Sequence, residues 1–198
     1  MQLKVFFVFI ALWVTSPIIN LKAQTVKGVS TAVFNESTAF PFTRFIPIHP
    51  GAEIGLTFRN VEKEKSIRQI NAYIGGYYHR KLTAGFYLRA EYLHSLVIKE
   101  VFAFDFLMGL GYAHTFYPGE IYSQNAETSN FEKVNQKGRP HLILPVGIGI
   151  SIPNKSKITP FLRQEMMIET PFANGIPVMV HSMLKVGIHI QIIKDEKL

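Results

Sequence analysis

The last segment of the chain, residues 178–193, alternates between apolar and polar residues over 16 positions. One set of alternate residues is aliphatic except for Ser182, and the other set includes His181, Lys185 and His189. Side chains of a β-strand point to opposite faces in turn, so this segment presents an aliphatic face to one medium and a polar face to another. A tilted strand needs about 9 to 11 residues to cross the hydrocarbon of a bilayer. The length and the pattern therefore favour a transmembrane β-strand.

Seven more segments carry the same two-residue period, although the first is short and weakly patterned. They are residues 26–35, 51–59, 67–79, 82–93, 100–114, 140–152 and 158–169. An even number of strands lets an antiparallel sheet close with both chain ends on one side, and closure leaves no unpaired edge for lipid to meet. We therefore predict an all-β chain that forms an antiparallel up-and-down transmembrane β-barrel of eight strands.

The connections between these segments differ in length on the two sides of the predicted barrel. With both chain ends in the periplasm, the outer loops are 36–50, 79–81, 115–139 and 170–177. The inner turns are 60–66, 94–99 and 153–157. Outer-membrane barrels have short periplasmic turns and longer outer loops, and here the two longest connections fall on the outer side.

The N-terminal segment is interpreted as a targeting sequence. Lys4 is followed by an apolar run over residues 5–19, and the segment ends in the small residue Ala23. This is typical of a secretory signal peptide, residues 1–23, which leaves a barrel domain of residues 24–198. An uncleaved membrane anchor is the alternative, but the apolar run is short for a membrane helix. The expected location is the outer membrane of a Gram-negative cell.

The chain contains no cysteine and has a net charge of +7. The absence of cysteine excludes a lipid-anchored form, disulfide bonds and thiolate metal sites. The basic residues form no run that would contact nucleic acid, and secretion also argues against such a partner.

Eight charged residues fall on the face of the strands that is predicted to line the lumen. They are Glu53, Arg59, Arg89, Glu91, Asp105, Arg163, Glu165 and Lys185. An eight-stranded barrel is just wide enough for side chains to fill it, so these four acids and four bases must pair or stay hydrated. The sequence predicts a lumen filled by a salt-bridged network. A narrow channel for small solutes is the alternative, whereas a soluble lipocalin-like binder would need an apolar interior.

Neither catalysis nor metal binding is predicted. Some small outer-membrane barrels are lipid-modifying enzymes that use Ser, His and an acid near the outer rim. The pairs His181-Ser182 and His94-Ser95 are adjacent, so on a regular strand their side chains point to opposite faces. His181 and His189 share a face but are separated by roughly 26 Å of strand, too far for joint ligation. We therefore predict no catalytic residue, no metal site and no cofactor.

Aromatic residues supply two further predictions. Tyr78 and Tyr112 are expected near the outer rim of the lipid-facing wall, and Tyr92 and Phe102 near its inner rim, as an aromatic girdle. The long polar loop 115–139 contains three aromatic residues that are candidates for a surface contact: Tyr117, Tyr122 and Phe131. Loops on a rigid barrel carry contacts without disturbing the scaffold, although a mobile shielding loop is an equal alternative.

Three short stretches suggest a family likeness: His49-Pro50-Gly51, Gly75-Gly76-Tyr77-Tyr78-His79-Arg80 and Gly109-Leu110-Gly111-Tyr112. With these stretches the chain resembles a group of small outer-membrane β-barrel proteins of Bacteroidetes-type bacteria, whose function is unassigned. The resemblance implies contact with outer-membrane lipid and insertion by the barrel-assembly machinery. Separately, the stretch Tyr77-Tyr78-His79-Arg80-Lys81 would form a basic aromatic rim for lipopolysaccharide phosphates, whereas a solvated turn beside the aromatic girdle is the favoured alternative. One departure is the tail after Ile193, Lys194-Asp195-Glu196-Lys197-Leu198, because barrel proteins commonly end on an aromatic residue. The predicted function is a structural or surface-interaction role without enzymatic activity.

Overall fold

The computed structural model describes residues 25–43, 46–80, 82–98, 101–125, 130–134, 138–153, 157–172 and 175–193. The predicted signal peptide and the tail 194–198 lie outside the described residues. The described residues form ten strands: β1 (Gly28–Ser37), β2 (Pro50–Lys63), β3 (Ser66–Tyr78), β4 (Ala84–Ile98), β5 (Phe102–Phe116), β6 (Ile121–Gln124), β7 (Phe131–Val134), β8 (Arg139–Ser151), β9 (Ile158–Thr170) and β10 (Met179–Gln191). Over these ranges no helix is long and apolar enough to cross a membrane.

Eight of the strands close into one barrel in the order β1, β10, β9, β8, β5, β4, β3, β2. All neighbours in the barrel are antiparallel, and β10 pairs with β1 to complete the ring. The remaining strands, β6 and β7, form a two-stranded sheet of their own. The prediction of a closed, eight-stranded antiparallel barrel is confirmed.

The wall of the barrel is apolar on the outside and charged on the inside. Along β4, the outward side chains of Phe86, Leu88 and Tyr92 are exposed, whereas the inward side chains of Arg89 and Glu91 are buried. A soluble protein has the opposite arrangement, with apolar side chains inside. A closed barrel with an apolar outer band suits lipid, because every backbone group in the wall is paired between strands. The chain is thus a transmembrane β-barrel of the outer-membrane type.

Several strands extend farther toward the inner side than predicted. β2 continues to Lys63, which reduces its turn to Glu64 and Lys65, and β4 continues to Ile98. The predicted turns 60–66 and 94–99 are therefore wrong in extent, because the two-residue alternation persists through them. As a result Tyr92 is the ninth of 15 residues in β4, near the middle of the wall and not at the inner rim.

A β-bulge in β2 overturns the prediction for Arg59. Thr57 pairs with Asn71 and Arg59 pairs with Ile70, so one extra residue lies between the two pairs on β2. An extra residue reverses the faces of the side chains that follow it. The Arg59 side chain is consequently exposed on the outer wall beside Ile70, while Asn60 is buried toward the lumen.

The outer connections also hold two features that the sequence did not predict. The polar loop 115–139 contains the β6–β7 hairpin, whose eight residues are all exposed. The loop after β1 is apolar, and Phe40 and Ile46 are 81% and 80% exposed. Pro41 and Phe42 border a cavity of about 460 Å³ together with outward residues of β4, β5, β8 and β9. This loop therefore lies against the lipid-facing wall.

Candidate functional site in the barrel lumen

Arg89 is the centre of a buried ion-pair network halfway along the lumen. Its guanidinium contacts three carboxylates: Glu91 at 3.0 Å, Glu53 at 3.2 Å, and Glu165. These residues come from β2, β4 and β9, so the network spans the barrel from one wall to the other. A guanidinium has five N–H donors in a fixed fork, which suits several carboxylates at once.

Lys185 and Arg163 extend the network. The Lys185 ammonium lies 2.8 Å from Glu53 and 3.0 Å from Glu165. Arg163 binds Asp105 at 2.9 Å, and Ser95 and Ser151 also donate hydrogen bonds to Asp105. We call this set the mid-lumen network: Glu53, Arg89, Glu91, Asp105, Arg163, Glu165 and Lys185. Seven of the eight residues predicted for the lumen are thus together, and Arg59 is the exception.

Glycines provide the space that the large lumen side chains occupy. A Cβ atom on Gly75 would lie 2.6 Å from the Tyr87 ring, and Tyr87 donates a hydrogen bond to Glu53. A Cβ atom on Gly111 would lie 2.6 Å from the Cβ atom of Arg89. Close packing within the barrel therefore accounts for the Gly109-Leu110-Gly111 stretch.

An apolar layer covers the mid-lumen network on its outer side. The layer consists of Phe34, Tyr77, Tyr87, Ala113, Ile143, Met167 and Met183, all of them buried. On β10, Met183 separates Lys185 from His181, and on β9, Met167 separates Glu165 from Glu169. The lumen thus has two polar tiers with an apolar layer between them.

The outer tier is built from histidines and carboxylates. His181 is fully buried and lies between two acids, with Nδ1 2.8 Å from Glu36 and Nε2 2.7 Å from Glu169. The second oxygen of Glu169 lies 3.1 Å from Nδ1 of His141 but has no hydrogen-bond partner, because Nδ1 donates to the Pro171 carbonyl oxygen at 2.6 Å. The imidazole of His181 therefore bridges two carboxylates that would otherwise repel each other.

Two further histidines complete this tier at the end of the lumen. Nδ1 of His49 lies 3.7 Å from the Glu36 carboxylate, and the rings of His49 and His79 are 3.5 Å apart between centroids. Burial lowers the pKa of His79, although the Glu36 carboxylate acts in the opposite direction. We call this set the outer-mouth cluster: Glu36, His49, His79, His141, Glu169 and His181.

The sequence analysis placed only one member of the outer-mouth cluster, His181, on the lumen face. Glu36 and His49 fell in the predicted loop 36–50, yet β1 continues to Ser37 and brings Glu36 into the barrel. His141 and Glu169 follow the lumen-facing alternation of their strands, and that signal could have identified them. Ser182 faces the outer wall, where it accepts a hydrogen bond from Gln164, so it cannot pair with His181.

The predicted aromatic positions are on the outer surface. Tyr78, Phe102 and Tyr112 are exposed on the wall, and the surface residues Tyr117, Tyr122 and Phe131 are exposed on the long outer connection. Within the stretch Tyr77 to Arg80, Tyr77 and His79 are buried, so only Tyr78 and Arg80 are exposed there. The described residues of this stretch therefore do not form a continuous basic and aromatic rim.

No protein-family model matches the sequence, and no curated protein is similar to it. Solved structures share its fold. Neisserial surface protein A is 9% identical, with a TM-score of 0.55 over 83% of this chain and 94% of that one. The outer-membrane enzyme PagL is 11% identical, with a TM-score of 0.47 over 83% and 99% of the two chains. The barrel domain of Pseudomonas aeruginosa OprF is 10% identical, with a TM-score of 0.44 over 83% and 97%. The likeness to the Neisserial protein shows a common barrel fold.

Proposed function

We propose that this chain is an integral outer-membrane barrel with a structural or surface-interaction role. The observation that carries the proposal is the filled lumen. Arg89, Lys185 and their carboxylate partners occupy its middle, and the apolar layer closes it toward the outside. A barrel filled in this way is a rigid scaffold, so its activity belongs to its outer surface and loops.

A narrow channel is less compatible with these contacts. An ion would have to pass the fully buried side chains of Tyr87, Ile143 and Met183. The cavity at the inner end of the lumen has a volume of only about 50 Å³.

Outer-membrane lipid, including lipopolysaccharide, is the first proposed partner. The apolar loop after β1 exposes Phe40, Ile46 and Ile48 beside the wall, where acyl chains lie. Tyr78 and Arg80 are exposed at the outer end of β3, where an aromatic ring and a guanidinium suit headgroups and phosphates. The signal peptide, the Bacteroidetes-type relationship and insertion by the assembly machinery remain parts of this proposal.

The second proposed contact surface is the β6–β7 hairpin. Tyr122 and Phe131 are exposed on it, and Tyr117 is exposed just before it. Exposed aromatic residues on an outer loop are frequent anchors for protein partners. A shielding role without a partner remains the alternative for this hairpin.

Two experiments test the proposed function. An epitope tag inserted between Asn125 and Ser129 should be accessible to antibody on intact cells while the barrel still resists heat on a gel. The purified barrel should show no conductance in planar bilayers. Accessibility only after the outer membrane is broken would overturn the topology, and stable single-channel currents would favour a channel.

One observation favours a lipid-modifying enzyme as the second candidate. The hydroxyl of Thr115 lies 2.7 Å from Nε2 of His141, and Nδ1 of His141 donates to the Pro171 carbonyl oxygen at 2.6 Å, so Nε2 is the acceptor. Thr115 also borders a cavity of about 620 Å³ at the outer rim, lined by Phe116, Arg139 and other residues. A hydroxyl beside the lone pair of an imidazole can act as a nucleophile that the imidazole activates as a base. Release of fatty acid from lipid A by the folded barrel, lost in Thr115→Val, would establish this candidate over the first.

A further inference from the structure

Three potential metal ligands meet at the outer ends of adjacent strands. Glu36 is the next-to-last residue of β1, His49 directly precedes β2, and His79 directly follows β3. Because β1, β2 and β3 are neighbours in the barrel, these ends lie side by side. One ligand atom from each residue lies within 4.8 Å of the other two.

Hydrogen bonds of the backbone hold the three residues in place. The Glu36 N–H donates to the His49 carbonyl oxygen at 2.9 Å, and the His49 N–H donates to the Asn35 side chain at 2.7 Å. The His79 N–H donates to the Thr83 carbonyl oxygen at 3.0 Å. The loop after β1 and the turn after β3 are therefore anchored where the side chains converge.

The histidine tautomers suit a metal ion. Nδ1 of His49 lies 3.0 Å from the Glu36 carbonyl oxygen, a bond that places the proton on Nδ1 and a lone pair on Nε2. Metal-bound histidines commonly donate their second ring N–H to such a carbonyl. In His79, Nδ1 accepts the Leu82 N–H at 3.2 Å, and that N–H also reaches the His79 carbonyl oxygen at 3.2 Å. If Nδ1 of His79 bound a metal ion, the Leu82 N–H would therefore still have the His79 carbonyl oxygen as its acceptor.

Glu36 supplies the independent observation that a cation belongs here. Its side chain is fully buried, and Oε1 is bonded to His181, but Oε2 has no hydrogen-bond partner. A buried carboxylate oxygen without a donor costs free energy that a bound cation would recover. His49 is 13% exposed, so the position can be reached from the outer end of the lumen.

The charges of the whole lumen point the same way. Among the described residues, the buried carboxylates are Glu36, Glu53, Glu91, Asp105, Glu165 and Glu169. The buried permanent cations are only Arg89, Arg163 and Lys185, since Arg59 lies outside. The three cations all belong to the mid-lumen network, so the outer tier has two carboxylates and only histidines to neutralise them.

From this geometry we infer that Glu36, His49 and His79 form a binding site for a divalent transition-metal ion of the Zn²⁺ class. Two imidazoles and one carboxylate are a donor set that Zn²⁺ uses, with bonds of about 2.0–2.2 Å and a fourth position open to water. The ion would fasten the loop after β1 to the turn after β3, across three adjacent strands.

The test uses the folded, tag-free barrel in detergent micelles, with Zn²⁺ and Co²⁺ as probes. Calorimetry should give a stoichiometry of one Zn²⁺ per barrel. Bound Co²⁺ should show the visible absorption of a four-coordinate site, and added Zn²⁺ should remove this absorption by displacing the Co²⁺. Loss of a residue that only hydrogen-bonds to a metal ligand weakens metal affinity about 10- to 100-fold. His49→Ala and His79→Ala should each weaken Zn²⁺ binding by more than this. His94→Ala, on the outer wall, is the matched control and should bind like the wild type.

The possible outcomes distinguish a defined metal site from nonspecific binding of metal ions to histidine side chains. Heat-modified gel mobility shows that each variant is folded before it is titrated. The absence of Zn²⁺ binding in the wild type, or equal binding by folded His49→Ala and His79→Ala variants, would overturn the proposal. Weakened binding in His94→Ala to the same degree as in the two ligand variants would overturn it as well, because the ions would then bind without a defined site.

Discussion

Both polar tiers of the lumen contain buried carboxylates, but they pair these carboxylates with different bases. The mid-lumen network pairs its carboxylates with two guanidinium groups and one ammonium group, those of Arg89, Arg163 and Lys185. The outer-mouth cluster pairs Glu36 and Glu169 with histidines, whose charge depends on their surroundings. The first tier therefore contains its own cationic side chains, whereas the second contains only imidazoles, which can also bind a metal ion. The apolar layer between them keeps the two behaviours separate.

The largest effect is expected from the centre of the mid-lumen network. Replacing Arg89 with Met would leave Glu53, Glu91 and Glu165 without their shared partner. Breaking a buried ion pair from one side costs about 3–5 kcal/mol, because the remaining charges stay desolvated. Urea titration followed by the gel mobility of folded and unfolded barrel should show this loss.

Arg59→Met is the matched control for that measurement. Arg59 lies on the lipid-facing wall beyond the β2 bulge, where an arginine itself costs free energy, so its replacement by methionine should not destabilise the barrel. Equal losses in the two variants would show that the Arg89 network does not fill the lumen as described.

The outer-mouth cluster should be less sensitive. His181→Leu removes the partner of two buried carboxylates, Glu36 and Glu169, whereas Arg89→Met removes the partner of three, so His181→Leu should cost less. The same urea titration should place this variant between Arg89→Met and the wild type. His94→Leu, on the outer wall, should not be destabilised. A loss for His181→Leu larger than that for Arg89→Met would reverse the comparison of the two tiers.

The sequence was sufficient to predict the wall and most of the mid-lumen network. Alternation assigns Arg89, Glu165 and Lys185 to one face, and closure of the barrel then forces these residues together. It could not locate the β2 bulge, because one extra residue at Phe58 leaves no signature in composition. That single residue changed the predicted balance of four acids and four bases.

The outer-mouth cluster was harder to predict because it depends on strand ends and on register around the barrel. Glu36, His49 and His79 are far apart in sequence and have no metal-ligand spacing. They become neighbours only because β1 pairs with β2 and β2 pairs with β3. Element boundaries are the least certain part of a strand prediction, and here the site is located at those boundaries.

The smallest effect is expected where an ion pair lies in water, on the β6–β7 hairpin. Lys133 binds Glu120, and Tyr122 also donates to that carboxylate. The hydrogen bond from Lys133 lowers the pKa of Glu120, and the bond from Tyr122 acts in the same direction. A carboxyl with a lowered pKa stabilises the folded state above its unfolded pKa, and this contribution is lost as the pH falls through the folded value. Exposure makes that contribution small.

Lys133→Met should therefore raise the pKa of Glu120 toward its ordinary value without a measurable change in the urea midpoint of the barrel. The titration is followed by the NMR shift of the Glu120 carboxyl carbon, and Lys133→Arg, which keeps a donor, should retain a lowered pKa. An unchanged Glu120 titration in Lys133→Met would mean that the pair does not form on the hairpin. A shifted urea midpoint would mean that the hairpin packs against the barrel. Burial would then not explain why the ion pairs of the lumen stabilise the barrel more than the Lys133–Glu120 pair does.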